Sequence, residues 1–232
     1  MTGAIYVTVV VLCSYLGGPV LQTVFGIITA LMLYEFAQLF KNSEYNPSAI
    51  LLTIYGTSMY IFGAIGANLI RSEGANFFLL PLLLLLLFAV LFFGSFETFR
   101  KSQKPVSNVG LSLLGLVYIV PAMTLIPYIS LLGPNDSVNT FPLLGIFIMI
   151  WCSDTFAYLI GRKIGKTKLA PTISPNKSWE GFVGGLIFSI LAGLIMAYFI
   201  DGQPFVAYAV LGVVCAGVGL LGDLFESKIK RE

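Results

Sequence analysis

Residues 141–161 read FPLLGIFIMIWCSDTFAYLIG, and Asp154 is the only charged residue among them. About 18 or more largely apolar residues in a row are long enough to cross the hydrocarbon core of a bilayer as a helix. The whole chain shares this character. Its 232 residues are 57% hydrophobic and 10% charged, with a mean hydropathy of +0.92. Soluble domains carry about 25% charged residues, so too few charges are present here to coat a water-facing surface. The expected class is all-α, a multi-pass transmembrane protein forming a single transmembrane domain over residues 1–232.

Working outward from that stretch, eight apolar spans are predicted, at about 4–17, 19–40, 48–70, 76–96, 108–132, 141–161, 181–200 and 205–223. The first is short, and Gly17-Gly18-Pro19 predicts a tight turn between it and the second. Pro81, Pro121 and Pro127 fall inside spans, where neighbouring helices can re-satisfy freed carbonyls. The basic residues set the orientation. Lys41, Arg100, Lys101, Lys104, Arg162, Lys163, Lys166, Lys168, Lys177, Lys228, Lys230 and Arg231 all fall on one side, and only Arg71 falls on the other. That side is read as cytoplasmic, with both termini inside. The expected location is a bacterial inner (plasma) membrane.

Cys13, Cys152 and Cys215 lie in or beside apolar segments with no paired spacing, and they read as small buried hydrophobes. The chain has no histidine, which excludes His-based metal sites, His general bases and Ser-His-Asp triads within it. The N-terminus lacks the basic n-region of a signal peptide.

The polar residues narrow the function. Residues 162–180 form the longest polar stretch, basic and interrupted by Gly165, Pro171 and Pro175, so one continuous helix is not expected there. Five cations on a cytoplasmic face attract anionic lipid. Glu35 and Glu97, near the ends of their spans, read as interfacial. Asp154 lies well inside an apolar span, where an ionised carboxylate costs roughly 2.5–3.5 kcal/mol and so usually marks function. Asp223, Glu226 and Lys230 share one helix face at i, i+3, i+7. Two acids there suit Mg²⁺, which takes one or two carboxylates and completes its shell with water and phosphate. Gly217–Gly222 fits G-x-G-x-x-G, but it lies in a membrane span, where small residues allow close helix approach, and not in a βαβ unit. Gly161–Thr167 is one residue short of a P-loop and follows a membrane helix.

Three segments carry a resemblance. They are Trp151-Cys-Ser-Asp-Thr-Phe-Ala-Tyr158 followed by Gly161-Arg162, then Ser174-Pro-Asn-Lys-Ser-Trp-Glu-Gly181, then Gly222-Asp-Leu-Phe-Glu-Ser-Lys-Ile-Lys-Arg231. Together, within residues 140–232, they resemble the CDP-diacylglycerol synthase (phosphatidate cytidylyltransferase) family. The second matches that family's S-P-x-K-[ST]-W-E-G, and Ser227–Arg231 matches the opening S-x-[LIVMF]-K-R of its signature. Spans before residue 140 match only in hydropathy. The signature continues with a K-D pair, H-G-G and D-R-x-D and then a last membrane helix, whereas this sequence stops at Glu232. A truncated protein is expected, with at least one metal-binding Asp outside it and with activity in doubt for the chain as given.

The resemblance implies transfer of a cytidylyl group from CTP to phosphatidic acid, with Mg²⁺ as cofactor. It implies Asp223 as a metal ligand and Glu226 as its support, with Asp154 either joining the metal site or orienting a basic neighbour. Lys177 would neutralise a phosphate. Ser174 and Ser178 would donate hydrogen bonds to phosphate, and Lys230 and Arg231 would clamp it. Trp179 reads as an interfacial anchor. CTP and membrane lipid are the expected partners, and nucleic acid is not. Glycine-rich packing such as Gly181–Gly185 permits a homodimer. Two other readings stay open: a different CTP-dependent lipid enzyme of the polyprenol kinase or CDP-archaeol synthase type, and a transporter.

Overall fold

A computed structural model of the chain describes residues 2–41, 44–73, 79–100, 102–130, 140–199 and 204–231. Its helices are α1 (Thr2–Leu16), α2 (Gly18–Leu39), α3 (Ala49–Glu73), α4 (Leu79–Arg100), α5 (Pro105–Ser130), α6 (Phe141–Ile164), α7 (Trp179–Phe199) and α8 (Phe205–Ile229). Two short strands, β1 (Lys168–Ala170) and β2 (Ser174–Ser178), lie between α6 and α7. The protein is all-α and multi-pass, and seven of the described helices are long and apolar enough to cross a membrane. The first expected span is the exception. At about 1.5 Å per residue, the 15 residues of α1 reach only about 22 Å, short of a hydrocarbon core of about 30 Å. Lys101 and Glu232 lie outside the described residues.

The chain divides into two compact units, residues 1–140 and 141–232. In the first, Gly17 and Gly18 make the turn from α1 to α2 with φ of 61° and 48°, a left-handed region that side chains with a Cβ rarely adopt. The core gathers Leu21, Phe25 and Leu33 of α2, Leu52 and Tyr60 of α3, Phe93 of α4 and Leu116 of α5, all buried. The Tyr60 hydroxyl is satisfied by donating to the Gln22 carbonyl at 2.8 Å.

Glu97 departs from its interfacial reading. It is 3% exposed and accepts hydrogen bonds from Asn108 Nδ2 at 2.9 Å and from Arg100 Nη1 at 3.2 Å. Arg100 Nη1 also donates to the Asn46 carbonyl at 2.7 Å, and the Asn46 amide donates to Asn108 Oδ1 at 2.9 Å. The carboxylate is therefore buried but paired, as a charge out of water must be. The network ties α4, α5 and the segment before α3 together.

In the second unit α7 packs along both α6 and α8. Its inward stripe repeats every fourth residue as Gly181, Gly185, Ser189, Gly193 and Ala197, all buried. Spacing of four keeps these positions on one face. A Cβ at Gly181 would come within 2.7 Å of the Ala157 carbonyl, and one at Gly185 within 2.6 Å of the Ser153 carbonyl. Farther along, a Cβ at Gly193 would meet the Tyr208 carbonyl at 2.4 Å. The missing side chains let α7 lie backbone to backbone against α6 at one end and α8 at the other, the small-residue packing that membrane helices favour. Ser189 Oγ crosses to the Gly212 carbonyl of α8 at 2.9 Å.

The polar stretch 162–180 contains an antiparallel hairpin, which the sequence reading did not foresee beyond excluding a continuous helix. Lys168 pairs with Ser178 and Ala170 with Ser174, with an irregularity between the two pairs.

Candidate active site

The residues of α6 that face the hairpin repeat at helical spacing: Ile150, Ser153, Asp154, Ala157, Tyr158, Gly161 and Arg162. On α8 the matching face is Ala216, Gly219, Leu220 and Asp223. With Gly181 and Phe182 at the start of α7, and Lys168, Leu169, Ser174, Asn176, Lys177 and Ser178 from the hairpin, they line a cavity of about 910 Å³. All of these residues belong to the second unit.

Asp154, Arg162, Lys168, Lys177 and Asp223 are the charged residues of its lining. Lys177 forms an ion pair with Asp223 Oδ2. Asp154, from the opposite wall, lies within electrostatic range of both. Lys177 Nζ is shielded from solvent, and its three N–H donors face a single paired carboxylate, so donor capacity is left for an anion. Asp154, which hydropathy alone placed deep in an apolar span, borders this cavity.

The hairpin roof has its own local logic. Ser178 ends β2 and caps α7: its Oγ accepts the Gly181 N–H at 3.2 Å, satisfying one of the open amides of the first turn. Ser178 was expected to donate to phosphate; its oxygen is engaged in the cap, while its hydroxyl hydrogen remains a donor at the cavity wall. Gly165 fits only because it has no Cβ, which would lie 2.5 Å from Ser178 Oγ.

Of the expected site residues, Asp154, Ser174, Lys177, Ser178 and Asp223 come together at the cavity. Glu226, Lys230 and Arg231 do not line it. Glu226 pairs with Lys230 one turn later on the exposed face of α8, and Arg231 Nη1 donates to the Thr172 carbonyl at the hairpin turn, 2.8 Å away. A shared helix face thus does not put Glu226 and Lys230 in the cavity lining with Asp223; they form an ion pair with each other. Sequence reasoning missed Tyr158, Asn176 and Lys168 as lining groups, and for Tyr158 the signal was available, one turn beyond Asp154 on the same helix. Gly217 and Gly219, read as close-packing glycines, are not: a Cβ at either would meet nothing within 4 Å. Gly219 borders the cavity, and Gly212 makes the close approach, where a Cβ would come within 2.8 Å of the Ser189 carbonyl.

Two carboxylates facing one cavity fit Mg²⁺, whose remaining positions are filled by water and substrate phosphate. Among the described residues no group of three His, Cys, Asp or Glu forms around them.

Comparison with known proteins gives a consistent picture. The model of the Cytidylyltransferase family matches residues 1–232. A phosphatidate cytidylyltransferase of Haemophilus influenzae is 42% identical over 97 residues, 40% of this chain and 34% of that protein. One of Staphylococcus aureus is 49% identical over 87 residues, 37% of this chain and 33% of that protein. One of Staphylococcus haemolyticus is 45% identical over 86 residues, with the same shares. The chain spans about a third of the length of these curated relatives.

Proposed function

The chain belongs to the cytidylyltransferase family, and from that premise we propose that it acts on CTP and phosphatidic acid, releasing CDP-diacylglycerol and pyrophosphate. The observation that carries this reading is the meeting of Lys177, Asp223 and Asp154 at one cavity on a membrane helix pair. Two anionic substrates need cations, and a metal-binding pair of acids, at the bilayer surface. Names borne by the relatives support the substrate choice.

In this reaction an oxygen of the lipid phosphate attacks the α-phosphorus of CTP. The bond from that phosphorus to the oxygen bridging to the β-phosphate breaks, and the electron pair leaves with pyrophosphate. Such transfers ask mainly for positioning and charge neutralisation. Lys177 gives its free N–H donors to a phosphate. Asp223 and Asp154 would hold Mg²⁺, which when bound would supply neutralisation of the developing charge. Ser174 and Asn176 orient phosphate oxygens from the hairpin, and Arg162 adds positive charge at the rim. The cavity faces the cytoplasm, where CTP is found, because the basic residues lie on that side. A bacterial plasma membrane is the setting in which this reading places the chain.

The test is formation of CDP-diacylglycerol from CTP and phosphatidic acid in detergent with Mg²⁺, using the chain and a version extended at its C-terminus by the family's signature. Polyprenol and an ether-lipid phosphate serve as alternative acceptors. Product from phosphatidic acid supports the proposal. Product only with another acceptor, or none from a folded extended protein, overturns it.

A further inference from the structure

The reaction proposed above leaves one carboxylate of the Ser174–Gly181 stretch without a task. Glu180 sits in the first turn of α7, but it does not line the cavity. Its side chain reaches the segment between α6 and β1 instead. Glu180 Oε1 accepts the Thr167 N–H at 3.0 Å, and Oε2 accepts the N–H groups of Thr167 and Lys166, each at 3.2 Å. The Trp179 N–H donates to the Thr167 carbonyl at 3.0 Å, so both backbone groups of Thr167 are held by the first turn of α7. Immediately before them, Gly165 is packed against Ser178.

The hairpin that begins at the next residue has little to hold it by itself. It has two paired positions with an irregularity between them, and an isolated two-stranded hairpin is marginal in water. Its placement is therefore set by its anchors. At the turn this is Arg231 on the Thr172 carbonyl. At the base, Glu180 is the side chain that bonds the backbone. A carboxylate suits this place because consecutive amides converge on an anion, and charge-assisted bonds are the strong ones. The backbone it grips leads directly into Lys168, which lines the cavity and pairs with Ser178 beside Lys177.

We infer that Glu180 is a positioning residue: by gripping the amides of Lys166 and Thr167 it fixes the base of the hairpin, and so places Lys168, Ser174 and Lys177 at the nucleotide phosphates. This rests on the reading of the cavity as a CTP site, and the test separates the two. Glu180→Ala and Glu180→Gln are prepared in the full chain, with Glu44→Ala, an exposed carboxylate of the first unit, as control. Trypsin cleavage after Lys166 and Lys168 is timed, and CTP turnover is measured alongside. In Glu180→Ala, cleavage at those bonds and the KM for CTP each rise about tenfold, the size expected from losing charge-assisted hydrogen bonds, while kcat falls less than threefold. Glu180→Gln, which keeps one acceptor oxygen, falls between. The control matches the parent at both bonds. Unchanged cleavage and KM in Glu180→Ala overturn the inference, as does a loss confined to kcat. If Glu180→Ala does not fold, the Gln variant decides by the same readouts. If neither the parent nor its C-terminally extended version turns over CTP, the proposed function fails and the cleavage rates alone decide the positioning role.

Discussion

Lys177 and Asp223 neutralise each other across the cavity, and each is needed for a different partner in the proposed reaction. Replacing either one leaves the other charge uncompensated. Asp223→Asn and Lys177→Met are each expected to lower kcat/KM by about 100-fold or more, the range seen when one preorganised electrostatic contact is removed. The double variant should lose far less than the product of the two, because groups that act as a unit are not additive. Titrating Mg²⁺ against turnover separates them: Asp223→Asn shifts the Mg²⁺ dependence to higher concentration, and Lys177→Met leaves it in place. An Asp223→Asn protein with unchanged, still Mg²⁺-dependent turnover would sink the metal role. Glu97 is a different sort of acid. It is buried and its partners are structural. Glu97→Ala removes the acceptor of Asn108 Nδ2, while Arg100 keeps the Asn46 carbonyl, and should cost roughly 1–3 kcal/mol of stability, the cost of leaving a buried polar group unsatisfied. Chemical denaturation in detergent would read that loss.

Helix α7 shows how element-level packing makes room for the site. Its stripe of Gly, Ser and Ala at four-residue spacing lets it lie close against α6 at one end and α8 at the other. Gly193→Ala places a methyl on the Tyr208 carbonyl and should destabilise the protein by about 1–3 kcal/mol, the usual cost of overpacking. Gly219→Ala is the matched control, since its methyl enters open space and a helical Gly→Ala exchange is favourable by propensity. The two substitutions look alike in sequence, and a melting series in detergent should give shifts of opposite sign. A larger residue at the second position is predicted to act on function instead. Gly219→Leu puts its side chain into the cavity and should raise the KM for CTP with little change in melting temperature.

At the level of the whole molecule, seven apolar helices among the described residues and a one-sided distribution of cations make a strong prediction about sidedness. In a chain freed of Cys13, Cys152 and Cys215, a single cysteine at Lys166 or Lys228 should react with an impermeant thiol reagent only from the cytoplasmic side. One at Arg71 should react only from the other. Labelling of both sets from the same side would overturn the orientation. The two compact units divide the labour. The family motifs all lie in residues 141–232, where the cavity is, and the first unit holds its own buried polar network at Glu97.

Hydropathy and charge alone determined that this is a helical membrane protein and which side is basic, because a bilayer demands long apolar helices and penalises charge in its core by several kcal/mol. The short motifs likewise identified Asp154, Lys177 and Asp223, since ionisable groups within or beside apolar spans need a reason to be there. Only the tertiary structure decided which polar residues share a cavity. Periodicity put Glu226 and Lys230 on the face of Asp223, yet of the three only Asp223 lines the cavity, and the other two form an ion pair with each other. Composition could not distinguish Gly193, which meets a neighbouring backbone, from Gly219, which faces empty space. Nor could it show that Glu97 is buried or that Glu180 grips the hairpin base, because both facts depend on backbone amides and side chains brought together by folding.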